Sequence, residues 1–211
     1  MTEKIGQPTW NRVYLLGYYT LVRNEKKLSA YAASIAGIKK QLVSFADSYI
    51  DPVKENAFHT VMGRAKSDFN WGSNSNAANQ GIALLNAYFI TGDKKYIDYA
   101  LTNLDYLLGR NATGFCFLTG TGTKSTMRPH HRPSVADGID EPVPGLLAGG
   151  PNPGRQDNCK YEFTEPETAY TDIDCSYASN EIAINWNAPF VYLANAIEAL
   201  QYRAGYTKKS R

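Results

Sequence analysis

Apolar positions fall into helical spacing near both ends of the chain and lose it in between. Residues 10–23 carry few charges and predict a helix buried on most sides. Ser29 stands where a cap would open a second helix over 29–49. Its stripe is Ile35, Ile38, Leu42 and Phe45, and Pro52 follows as a stop. Residues 53–75 are irregular, with room for a short helical stretch around 54–65. A helical hairpin comes next. Ala78, Ile82, Leu85 and Phe89 share one face of a helix over 76–91, and Gly92 falls where a left-handed residue ends it. Asp93 is placed to cap the following helix, 94–108, whose stripe is Ile97, Leu101, Leu104 and Leu108. Joined by so short a turn, the two must lie antiparallel. Phe190, Leu193, Ala194, Ile197 and Leu200 give the face of a last helix, 188–203, with Asn187 as cap and Pro189 in the first turn. Pro189 argues against a helix running back through Glu181, which is therefore expected on the segment leading in.

The stretch between these helices, about 111–187, is different. Residues 111–180 hold seven of the ten prolines and eight glycines. Loops of such length inside a domain are functional or disordered. Phe115, Phe117, Tyr161, Phe163, Tyr170 and Tyr177 argue for order, because a solvated tail has few aromatic residues. No strand-rich region competes. The expected architecture is all-α, one domain, with long loops on one side.

Composition narrows the function. A chain of 211 residues suits a single domain with a real core. The net charge of +2 comes without a basic stripe, which argues against nucleic acid and membrane surfaces as partners. No apolar run is long enough to span a bilayer, and the first six residues lack the pattern of an export leader. Fifteen Tyr and three Trp exceed what a core needs and suit a wet groove where sugars lie on ring faces. Cys116, Cys159 and Cys175 are far apart, with no metal-like spacing to His59, His130 or His131. No metal site and no cofactor are expected. One disulfide is compatible with three cysteines, and the spacing does not choose the pair.

Three stretches carry chemistry: Trp71-Gly72-Ser73-Asn74, the run from Leu118 through Gly122, Lys124, Pro129, His130 and Arg132, and the run from Tyr170 through Asp172, Tyr177, Glu181, Ala183 and Asn187 to Ala188. The chain resembles glycoside hydrolase family 9, the inverting cellulases built on an (α/α)6 barrel. The last stretch fits the family's second signature at every constrained position. The middle one fits the first signature except at Cys116, where Ser, Thr or Val is usual. Tyr106-Leu107-Leu108-Gly109-Arg110-Asn111 and the turn Gly149-Gly150-Pro151-Asn152 also look like the family, and in detail like its bacterial branch.

The resemblance implies roles residue by residue. Glu181 matches the general acid that protonates the departing glycosidic oxygen. Such an acid must keep its proton until the bond breaks, which an aromatic surround and a nearby Asp favour. Asp172 matches the signature aspartate, either supporting Glu181 or fixing its own loop. His130 and Arg132 match substrate-binding positions, Trp71 and Trp186 match positions where rings stack on glucosyl units, and Tyr177 lies in the same signature. Many relatives carry Arg where this chain has Ser75, so contacts made there by that Arg do not transfer.

An inverting hydrolase also needs a base, a carboxylate roughly 6.5–9.5 Å from the acid. The family's Asp-Ala-Gly-Asp motif, which supplies it, is absent here. Five or six predicted helices are about half of a twelve-helix barrel. The chain is therefore expected to be the C-terminal half of a catalytic domain. Its partners would be a β-1,4-linked glucan or oligosaccharide and the missing N-terminal half, with self-association through the open face. By resemblance the parent enzyme would act outside the cell or in the periplasm. The alternative is a non-catalytic carbohydrate-binding protein that keeps the acid-side subsites.

Overall fold

Helices dominate the computed structural model, which describes residues 5–208; part of the N-terminal stretch read for a leader lies outside them. In chain order they are α1 (Tyr14–Arg23), α2 (Ala32–Ile50), α3 (Ser73–Thr91), α4 (Lys94–Leu107), α5 (Arg132–Ala136), α6 (Tyr177–Asn180) and α7 (Ile184–Leu200). The all-α class of the sequence reading holds, and the long helices pair as in part of an (α/α)6 barrel.

The centre is α3, which packs on α2, α4 and α7. It is buried almost all round, with Ala77, Ala78, Gln80, Leu84 and Leu85 all sealed from solvent. A helix with this pattern must be covered on every side. Gly81 lets α7 approach: a Cβ there would stand 2.7 Å from a methyl of Leu193. The α3–α4 hairpin turns as expected. Gly92 is left-handed at φ 74°, and the Asp93 carboxylate accepts the Lys95 N–H at 3.0 Å. On α2, Ile35, Ile38 and Leu42 are buried as the stripe predicted.

Four expectations need correction. First, α1 starts at Tyr14, not residue 10, and buries only Leu15 and Tyr19, leaving Val13 and Leu16 exposed. Its neighbours are confined to one side, so few charges did not mean burial. Second, Ser29 opens a 3-10 turn (Ser29–Tyr31) ahead of α2 and caps nothing with its side chain. Third, the buried face of α4 is Tyr96, Ile97, Ala100, Asn103 and Leu107, rotated from the predicted stripe. The reason is Asn103, fully buried at the helix interface, whose Nδ2 donates to the Ala77 carbonyl (2.9 Å) and Gln80 Oε1 (3.0 Å). Its Oδ1 accepts the Met62 N–H at 2.7 Å. Fourth, α7 begins at Ile184, and Pro189 lies inside it. Pro189 has no N–H to offer the carbonyl four residues back, that of Asn185, and Asn185 is exposed to solvent. Around 54–65, helical structure is limited to the 3-10 turn Asp51–Glu55.

The long loops are ordered without becoming sheet. Isolated bridges join Cys116 to Ser125, Leu118 to Leu147, Ala148 to Ile182 and His130 to Glu181. A disulfide joins Cys159 to Cys175, while Cys116 is free and buried. On another side, α1, α3 and α7 enclose a groove of about 420 Å³ that includes Val13, Leu16, Ile82 and Tyr192.

Truncating Asn103 tests whether polar satisfaction sets the α4 face. The Asn103→Ala variant takes the Asn103 partner from the Met62 N–H, the Ala77 carbonyl and Gln80 Oε1, and is expected to lose roughly 1–3 kcal/mol in urea unfolding at unchanged slope. No loss would show that the interface is held by packing alone.

Candidate active site

Glu181 follows the single turn of α6 and precedes α7, and its backbone is held from three directions. Its carbonyl accepts the Gly149 N–H at 2.9 Å, and its own N–H donates to the Tyr177 carbonyl at 3.2 Å. The His130 N–H reaches the neighbouring Asn180 carbonyl at 3.0 Å. Side-chain amides complete the clamp. Buried Asn180 donates from Nδ2 to the carbonyls of Arg128 and Ile173. Asn187 accepts the Leu147 N–H on Oδ1 (2.8 Å) and donates from Nδ2 to the Leu147 and Ala183 carbonyls (3.2 and 2.9 Å). Asn187 is thus a clamp within α7 rather than its cap.

The Glu181 side chain enters a cleft of about 430 Å³ lined by Trp10, Trp71, Asn76, Asn185 and Trp186 among others. The Trp71 indole N–H donates to Oε2 at 3.0 Å. That oxygen is occupied as an acceptor. Trp71 is 41% exposed. Trp186 is only 8% exposed and forms the floor. Its ring lies against Gly72 and Gly149; a Cβ at Gly72 would stand 2.5 Å from the indole, and Gly72 is left-handed at φ 79°. Both constraints demand glycine in the Trp-Gly-Ser triplet. Core packing therefore takes most of Trp186, and only an edge remains for a ligand.

Trp71, Tyr177 and His130 form a line of rings, with centroids 5.8 Å apart at each step. The Tyr177 hydroxyl donates to the Gln156 carbonyl at 3.1 Å, which fixes the ring. His130 and Arg132 are exposed beyond it and line a second cavity.

Asp172, expected from the resemblance either to support Glu181 or to fix its loop, has both carboxylate oxygens on backbone amides. Its Oδ2 accepts the Met127 N–H at 2.7 Å and its Oδ1 the Arg128 N–H at 2.9 Å. Both oxygens hold the segment that presents His130 and Arg132, which makes Asp172 a positioning residue for that loop. Burial pushes its carboxyl above the usual carboxylate range, against the opposing pull of the two amides and the Arg128 charge.

Trp10, Asn76 and Asn185 also line the cleft and were not singled out from sequence. Trp10 is 68% exposed, in the turn closed by the Arg12 N–H to the Thr9 carbonyl at 3.0 Å. Pro8 immediately before it was the available signal for a turn. Among the described residues, no group of three or more His, Cys, Asp or Glu could hold a metal ion, and no helix is long and apolar enough to cross a membrane.

Titration of Asp172 has a defined sign. Its folded-state pKa is raised, so the folded chain binds this proton more tightly than the unfolded chain does. The stability of the native protein relative to Asp172→Asn is expected to fall as pH rises from the ordinary carboxylate range through the raised midpoint, then level off. Chemical denaturation across that range checks it, and a gap that grows with pH contradicts the assignment.

Comparison with known proteins places this geometry. The sequence model of the family described as Glycosyl hydrolase family 9 matches residues 3–194. A xyloglucan-specific endo-beta-1,4-glucanase of Bacteroides ovatus is 44% identical over 92% of this chain and 33% of its own length. A cellulose 1,4-beta-cellobiosidase of Acetivibrio thermocellus is 32% identical over 91% of this chain and 22% of its own. The solved structure of a Bacteroides ovatus family 9 protein superposes with a TM-score of 0.86 at 41% identity, covering 94% of this chain and 35% of that one. A second structure, AaCel9A in complex with cellobiose-like isofagomine, gives 0.80 at 32% identity over 92% of this chain and 37% of that one. The chain thus spans a third or less of the length of these curated relatives.

Proposed function

Because the chain belongs to glycosyl hydrolase family 9, we propose that it supplies the acid side of a glycosidase cleaving β-1,4-linked glucan with inversion, with Glu181 as proton donor. The observation that carries this reading is the Trp71 N–H on Glu181 Oε2 inside a cleft walled by tryptophans. In the reaction, Glu181 Oε1 gives its proton to the glycosidic oxygen as that oxygen takes the electron pair of the breaking C–O bond. Water attacks the anomeric carbon from the opposite face and turns the β centre into an α one. A base must take the water's proton, and the two carboxyls must stand roughly 6.5–9.5 Å apart.

Glu181 is the one carboxylate among the described residues lining the cleft. We place the base outside this chain, in the two thirds of a relative's length that it does not match. The groove between α1, α3 and α7, with Val13 and Leu16 exposed, is the face on which such a remainder would pack. The disulfide between Cys159 and Cys175 supports a parent enzyme acting outside the cytoplasm, where oxidising conditions keep such bonds.

A cleft with one carboxylate also favours the second reading, binding without cleavage. Both readings expect the isolated chain to bind cellopentaose and leave it intact. Calorimetry and chromatography of the sugar check this: Trp71→Ala is expected to weaken binding about tenfold through the lost ring face, and Glu181→Gln to keep most of it. Hydrolysis by the isolated chain, lost in Glu181→Gln, would overturn the placement of the base.

A further inference from the structure

Trp71 stands where regular structure does not hold it. It follows a 3-10 turn (Lys66–Asp68) and precedes α3, whose N-cap, Gly72, offers no side chain to fix the junction. The indole is partly exposed, and its ring contact with Tyr177 covers one side only. Its direction therefore depends on how residues 68–72 are fastened, because an ordered side chain needs an ordered backbone beneath it.

Asn76 does the fastening. It lies in the first turn of α3, is 9% exposed, and turns its amide back towards the incoming chain. Nδ2 donates to the Asp68 carbonyl at 2.9 Å and reaches Asn70 Oδ1 at 3.4 Å. An amide nitrogen has two hydrogens, and here each has an acceptor. Backbone closes the same turn, with the Ser73 N–H donating to the Asn70 carbonyl at 2.9 Å. Gln80 is four residues on and shares the Asn76 face of the helix. Its Nε2 donates to Asp68 Oδ1 at 3.2 Å, while Asp68 Oδ2 lies 3.7 Å from Arg64 Nε. Residues 68–70 are thus laid against α3 at two points, and Trp71 is the next residue. Asn76 also lines the cleft that holds Glu181, so the tether and the acid share one wall.

We propose that Asn76 is a positioning residue for the proton donor: by tying residues 68–70 to α3 it aims the Trp71 indole at Glu181. The proposal rests on the reading of Glu181 as the acid and adds what holds the acid's partner in place.

Nitrogen–proton NMR of the full chain tests it through the indole N–H signals of the three tryptophans, with Trp71→Phe identifying that of Trp71. Glu181→Gln is expected to shift the Trp71 signal more than the other two. That response should be lost in Asn76→Ala, and equally in Asn76→Asp, which keeps the shape of the side chain and removes the donor. Asn79→Ala, which loses a bond to the Ser75 carbonyl within α3, should keep it. A response that survives both Asn76 substitutions, even with the protein destabilised, would reduce Asn76 to a structural role and overturn the proposal. Unfolding of both Asn76 variants in circular dichroism, or no response in the native chain, would overturn it as well. None of these outcomes involves a sugar. Failure of cellopentaose to bind would strike the glucan reading and leave the tether standing.

Discussion

The structure depends on one short piece of backbone being held still. Residues 180–182 run between the 128–130 and 147–150 segments without regular sheet on either side. Buried peptide groups must find partners, and here few come from repetitive structure. Asparagine supplies them, since one short side chain offers a donor and an acceptor at a fixed separation. Asn180 ties the 128 and 173 carbonyls together, and Asn187 grips both polar groups of Leu147. Asn152 donates to the Ala178 carbonyl, and Asn74 reaches the Ala148 carbonyl from the first turn of α3. The loop system is thereby fastened to the helical core at the same place that aims Glu181.

The same logic separates the carboxylates. Two acids nine residues apart in one motif invite reading as a pair. Asp172 is consumed by two backbone amides, whereas the Glu181 carboxylate accepts the indole N–H of Trp71. The two acids are thus set differently: Asp172 fixes the loop that carries His130 and Arg132, and Glu181 stands in the cleft beside Trp71. Trp186 and Gly72 make a similar division, because the indole floor can lie so close to the chain only where no Cβ stands in the way.

What could be read from sequence followed the strength of local signals. The turn at Gly92 and Asp93 and the stripe of α2 were legible, because cap chemistry and apolar spacing act within a few residues. The face of α4 was not, since buried Asn103 has partners on α3 and in the 60s loop that no window reveals. Trp10 was read as a core residue of a helix, yet α1 is covered on one side only, and the indole stands at the cleft instead. Glu181 and the ring residues came from motif resemblance. Composition suggested only a sugar-binding surface rich in aromatics, and could not tell the exposed Trp71 from the buried Trp186. The roles of Asn180 and Asn187 were invisible, because they lie in contacts between distant loops.

The structure thus presents Glu181 beside Trp71 at one end of a row of rings, in a cleft that lacks a second carboxylate among its described walls. Its central claim is that Glu181 is half of an inverting pair. The most direct test combines this chain with the portion of a family relative that it does not match, and follows cellopentaose cleavage by proton NMR of the first product anomer. The account predicts hydrolysis only in the combination, α-anomer first, abolished by Glu181→Gln. A β-anomer as first product, or undiminished cleavage with Glu181→Gln, would contradict it.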